Sequence, residues 1–140
     1  MKMINRIRYN FFQFCLGLIF SYGGWYGYQH LNYLDDVRIT NPPIRAFEHL
    51  TTGFVDDLWF VNWVLFTGAI ILLGVLIGYR WVKDTGLISG LAIVALIEVA
   101  FFQRGVLDEY FNLTWFMAFL AFAGILNELW NGRHGHDGLR

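Results

Sequence analysis

Glu98 is the residue whose type and place point most directly to chemistry. It lies inside the apolar stretch Gly86–Phe102, four residues before Phe102. If that stretch is a membrane helix, a rise of ~1.5 Å per residue sets Glu98 ~6 Å inside its outer end. A carboxyl group in hydrocarbon is costly, and an intramembrane acid is a functional hypothesis by default. Other apolar stretches carry polar and aromatic groups toward the same end. These are Tyr22 and Tyr26 in the first, Asn62 and Trp63 in the second, and Thr114 and Trp115 in the last. Where these ends converge, the seven residues make an expected ligand-binding pocket in the outer half of the membrane. Ser21, His30, Gln103 and Arg104 lie close enough in sequence to border it. The competing reading is a Glu98 that hydrogen-bonds one neighbour, or snorkels, and serves packing alone.

Other candidates are weaker. His134-Gly-His136 has metal-ligating groups, but on a polar tail without a cysteine or carboxylate pattern it reads as a solvated segment. Glu128 is an acid near a helix end. Cys15 has no basic partner one turn away and reads as a structural thiol. As the one cysteine, it excludes an internal disulfide and a Cys-x-x-Cys pair. No histidine lies deep in an apolar stretch, which disfavours a haem held by two histidines, and no lysine lies there to form a retinal Schiff base. There is no Walker loop, no His-Glu-x-x-His and no serine or cysteine nucleophile beside a base. No catalytic residue and no metal site is expected. A net charge of −1 without a basic face argues against nucleic acid.

These residues need positioning elements, and the composition says which. Apolar residues make up 56% of the chain and charged ones 15%, against about 25% charged in soluble domains. Four apolar runs stand out at about residues 9–28, 58–79, 86–102 and 111–130. The third spans the lower limit for crossing a hydrocarbon core of ~30 Å. The first follows Lys2, Arg6 and Arg8, as a signal peptide would, but no small-x-small cleavage site follows Phe20 and a retained helix is expected. In lipid every backbone N–H and C=O needs an internal partner. The run Ala69–Gly78 lacks the period-two alternation of a barrel strand. The expected fold is all-α: a single-domain integral membrane four-helix bundle ending in a polar tail at 131–140.

Lys and Arg set its orientation. With the N-terminus inside, Lys2, Arg6, Arg8, Arg80, Lys83, Arg133 and Arg140 are cytoplasmic, and Arg38, Arg45 and Arg104 are outside. Both termini are therefore expected in the cytoplasm, with the chain in a bacterial inner (plasma) membrane. The first outer loop, about 30–57, contains Asn41-Pro42-Pro43 followed by Ile44, Phe47 and Leu50 near helical spacing. This reads either as a short amphipathic helix on the outer face or as a loop folded over the bundle mouth.

Lipid tails are as apolar as leucine, so close packing over small residues holds such a bundle together. Gly74-Val-Leu-Ile-Gly78 closes the second run and Gly86-Leu-Ile-Ser-Gly90 opens the third, across the short link Arg80–Thr85. Antiparallel helices whose glycine faces meet are expected; dimerisation through the same glycines is the alternative.

Leu16-Gly-Leu-Ile-Phe20 with Gly23-Gly24, the loop prolines, and Gly68-Ala-Ile-Ile-Leu-Leu-Gly-Val-Leu-Ile-Gly-Tyr-Arg80 together resemble the DoxX-like family of small four-helix membrane proteins. The likeness covers about two-thirds of the chain. It departs in lacking a Lys after the helix-one glycines and a Gly-rich motif closing helix four. It implies an accessory role beside a redox partner and assigns no catalytic residue. The lack of catalytic groups, the aromatic residues and the short soluble parts, taken with this resemblance, leave three functions. The first is a non-catalytic membrane subunit that binds the bilayer and a membrane protein partner, or a second copy of itself. The second is a quinone- or lipid-binding redox accessory with its pocket near Glu98. The third is a small oligomeric transporter or channel.

Overall fold

The computed structural model describes residues 2–31, 53–107 and 114–134. Among them the chain is all-helical, without a strand. The elements are α1 (Lys2–Tyr9), α2 (Phe11–Tyr28), a 3-10 turn (Gly53–Asp56), α3 (Leu58–Ile77), α4 (Arg80–Leu107) and α5 (Thr114–His134). The surface helix expected around Ile44, Phe47 and Leu50, and the tail beyond His134, lie outside the described residues.

The helix Arg80–Leu107 outruns the expected 86–102 at both ends, and Thr114–His134 extends past 130. Two of the boundary differences have a clear local reason. The first run is not continuous from Tyr9. Asn10 leaves helical geometry (φ −115°, ψ 37°), and its Nδ2 donates to the Arg6 carbonyl at 2.8 Å. Asparagine competes in this way for local backbone groups, which separates a short amphipathic helix from α2. The link Arg80–Thr85 is also not a loop but the first turns of α4. The turn is only Gly78-Tyr79. Gly78 takes φ 84°, a left-handed position that suits glycine at a helix end, and its N–H returns to the Gly74 carbonyl at 2.9 Å. Nothing in Arg80-Trp-Val-Lys-Asp-Thr85 breaks a helix, and Arg80 pairs with Asp84 one turn on (3.5 Å).

Successive long helices run antiparallel and pack as neighbours. On α2, Gly24 lies against the Leu65 backbone and Gly17 against Leu72, so the order reverses between α2 and α3. A Cβ on Gly24 would sit 2.7 Å from the Leu65 nitrogen, and one on Gly68 would meet the Ser21 backbone. The two backbones touch there, as small residues permit. Between α3 and α4, Gly74 rests on the Lys83 backbone and Gly86 on Ile71. The two glycine pairs therefore do not meet face to face. Gly90 instead receives the Phe20 ring of α2, and Gly78 makes the turn. Leu16, Phe20, Ile71, Leu87, Ile93 and Ile125 form the buried centre.

The helices Leu58–Ile77 and Arg80–Phe102 are long and apolar enough to cross a membrane. Helix α2 is less apolar because it carries four glycines, three tyrosines and Gln13, and α5 because it carries Asn127, Glu128 and Asn131.

Candidate functional site

The residues expected around Glu98 fall into separate groups. Tyr28 is the tyrosine of α2 that hydrogen-bonds Asn62 of α3: its hydroxyl donates to Asn62 Oδ1 at 2.6 Å. Trp63 turns inward and donates Nε1–H to Ser89 Oγ at 2.8 Å. Ser89 Oγ also bonds Thr67 Oγ1 at 2.7 Å, and Thr67 is only 1% exposed. This chain satisfies three hydroxyl and indole groups within the helix pair α3–α4. Trp115 meets Phe102 edge-on at 5.9 Å between ring centres, and Thr114 is exposed.

Depth explains the separation. Ser21 lies on Gly68, which places Tyr22 near the middle of α3. The Thr67–Ser89 bond sets the same level on α4. Glu98 is nine residues beyond Ser89, or ~13 Å farther along the axis at 1.5 Å per residue. Glu98 therefore sits level with the start of α3, and Tyr22 does not share its depth. Its Oε2 is buried and has no hydrogen-bond partner, so that oxygen carries none of the bonds expected from Tyr22, Tyr26, Asn62 or Thr114.

Two cavities stand out elsewhere. The first, about 420 Å³, is an apolar groove at the end of the bundle opposite the α3–α4 turn. Its walls include Phe20, Gly23, Gly27, Val61, Ile93 and Ile97, with Tyr26 and His30 as its polar groups. A Cβ added to Gly23 would have nothing within 4 Å, so its face of α2 is open. Along that helix the rings of Tyr22 and Tyr26 stack at 6.4 Å, and Tyr26 meets His30 at 4.2 Å. Glu98 does not line this groove.

The second cavity, about 280 Å³, lies at the turn end and is polar. Arg6 reaches it from α1 and donates Nη1–H to the carbonyls of Leu76 (2.9 Å) and Ile77 (2.6 Å). A cation there satisfies carbonyls left open at a helix C-terminus. Lys83 donates Nζ–H to Asn10 Oδ1 at 2.8 Å. Gln13 donates Nε2–H to Glu128 Oε2 at 2.7 Å, tying α2 to α5.

No known family, curated protein or solved structure matches this chain.

The turn-end network is not legible in the sequence, where Arg6, Lys83 and Glu128 each read singly as interfacial charges. The available signal was Gln13, an amide within an otherwise apolar run, one turn above Asn10.

Proposed function

We propose that this chain is an integral membrane four-helix bundle, both ends cytoplasmic, that acts as a non-catalytic subunit and holds a membrane partner along α2. Where the apolar surface lies supports the membrane reading. Exposed Tyr9, Tyr79, Trp81 and Trp130 ring the turn end, and exposed Tyr26, Tyr28 and Trp59 ring the other. Exposed Leu18, Phe66, Leu73, Ile88, Phe119 and Leu120 fill the band between them. Such a pattern fits aromatic belts at two interfaces. The 20 residues of α3 give ~30 Å between the belts, the thickness of a hydrocarbon core. Only 39% and 33% of the apolar windows of α3 and α4 are buried, whereas the core helix of a soluble protein turns most of its apolar surface inward.

The observation that carries the partner reading is the ridge Tyr22–Tyr26–His30. Tyr22 is 64% exposed at mid-band depth, where a phenol is better placed against protein than against lipid tails. Purification in mild detergent of the wild type and of Tyr22→Ala tests it. A species that co-purifies with wild type and with the exposed α3 control Phe66→Ala, but not with Tyr22→Ala, is the expected result. Equal recovery from all three removes α2 as the binding face. Topology is tested separately by labelling Asp36→Cys and Gly135→Cys in a Cys15→Ser background from outside intact cells. Labelling at residue 36 alone is expected.

The apolar groove favours a second reading, in which its occupant is a quinone or lipid tail. Its volume of about 420 Å³ suits a small-molecule site, and Tyr26 lines it with a phenol able to meet a head group. The DoxX-like resemblance makes a redox enzyme the partner to look for first. Organic extraction of purified wild type and of Gly23→Leu, which fills the groove, separates the two readings. Loss of a bound quinone in the variant supports the second.

A further inference from the structure

The turn-end cavity has more polar capacity than its own residues use. Gln13 is 4% exposed and lines the cavity, yet its Oε1 is buried with no hydrogen-bond partner. Such an atom inside a polar cavity asks for a donor. The same cavity has donors to spare. Arg6 uses Nη1 for both carbonyls, which leaves the Nε and Nη2 edge of its fork to another acceptor. Lys83 has three N–H donors, of which one goes to Asn10. Three cations, Arg6, Arg80 and Lys83, face two acids, Asp84 and Glu128. The lining therefore carries one positive charge in excess.

We propose that this cavity binds the head group of a glycerophospholipid whose phosphodiester also carries a hydrogen-bond donor. The inference rests on the membrane reading above. The phosphodiester supplies one negative charge and acceptor oxygens for Arg6 and Lys83. A glycerol hydroxyl supplies the donor that Gln13 Oε1 lacks and leaves the phosphate charge to offset the excess; an ethanolamine ammonium supplies the donor but returns a positive charge. The site is at the right level for a lipid. Tyr79 lines it, and exposed Trp81 and Trp130 lie at the same end, where interfacial aromatics mark the head-group region. Basic pockets between membrane helices on the cytoplasmic side bind lipid head groups for this reason. Choline would fill the same space without an N–H or O–H to offer.

The test is native mass spectrometry of the detergent-purified full chain, titrated with dihexanoyl phosphatidylglycerol, phosphatidylethanolamine and phosphatidylcholine, and separately with inorganic phosphate. The glycerol or ethanolamine lipid should bind at least tenfold more tightly than the choline lipid. Lys83→Gln keeps a group able to reach Asn10 and removes the charge; Gln13→Leu removes the acceptor. Each should weaken binding at least fivefold, while Gly23→Ala, in the distant groove, should not. If Gln13→Leu does not fold, Lys83→Gln carries the test alone. Equal binding of all three lipids, or binding unchanged in Lys83→Gln, overturns the proposal. Inorganic phosphate binding as tightly as the lipids, with the same dependence on Lys83, marks a soluble anion as the source and overturns the lipid assignment. Carbonate washing of membranes separates this from the parent reading. A chain that stays in the pellet but shows no head-group preference loses only this site; a chain released by carbonate loses both.

Discussion

Gly23 and Gly24 are adjacent on α2 and face opposite environments, which makes them a controlled pair. A Cβ at Gly24 would lie 2.7 Å from the nitrogen, 2.8 Å from Cα and 2.8 Å from Cβ of Leu65. Two of these are backbone atoms, so no rotamer change relieves the clash. The α2–α3 crossing must open by several tenths of an ångström, and the nearby Ser21–Gly68 contact must open with it. Overpacking a tight contact costs ~1–3 kcal/mol. In the membrane setting proposed above, lipid returns none of this as hydrophobic gain, because the added methyl group is never in water. A Cβ at Gly23 meets nothing within 4 Å, and alanine there gains helix propensity of up to ~1 kcal/mol.

Gly24→Ala gains the same propensity, so that term cancels between the two variants. Gly23→Ala should therefore unfold at or above the wild type, and Gly24→Ala below Gly23→Ala by the packing cost of ~1–3 kcal/mol. Thermal unfolding in a non-ionic detergent measures it, followed by reaction of the half-buried Cys15 with a thiol dye. Gly24→Ala should release Cys15 several degrees below Gly23→Ala. Equal unfolding of both variants would show that the α2–α3 contact is not the tight one and would refute the packing argument for the whole pair.

Three further outcomes follow from individual contacts. Gly74→Ala should destabilise more than Gly90→Ala, because Gly74 abuts the Lys83 backbone and Gly90 only the tip of the Phe20 ring; the same melts decide it. Ser89→Ala removes the acceptor for the Trp63 indole and the partner of buried Thr67, and should cost ~1–3 kcal/mol, against less for Ile88→Ala on the exposed face. Arg6→Gln should loosen α1 from the α3 terminus by about 1 kcal/mol, read as roughly fivefold faster hydrogen exchange over residues 2–9 with α4 unchanged.

The helical class and the four long helices were legible in the sequence, because hydropathy marks them whatever their neighbours. The tight crossing was legible only in part. Glycines announce close approach but not its partner, and Gly86 meets Ile71 and Gly90 meets Phe20 rather than the glycines of α3. A pocket read from the ends of the apolar runs assumes helices of equal length starting at one level. The 28 residues of α4 overshoot the 18 of α2, so Glu98 and Tyr22 sit at different depths. The short helix α1 was hidden because its arginines read as a topological flank.

The polar ties between helices are not spread evenly, and this bears on where the molecule can yield. At the turn end, Gln13–Glu128, Lys83–Asn10 and the Arg6 clamp join α1, α2, α3, α4 and α5 through side chains. Gly124 adds a close contact there, since a Cβ on it would lie 2.9 Å from the Phe12 ring. At the other end Tyr28 bonds Asn62 on the exposed rim. The groove walls there are apolar, and on the membrane reading proposed above their contacts have little net preference over contacts with lipid. Among the described residues the turn end is thus tied by directional bonds across the helices, whereas the groove walls themselves are held by packing that an apolar occupant can replace at little cost. A partner or ligand entering between α2 and α4 would meet its least resistance at the groove, while the turn-end network keeps the helix order unchanged.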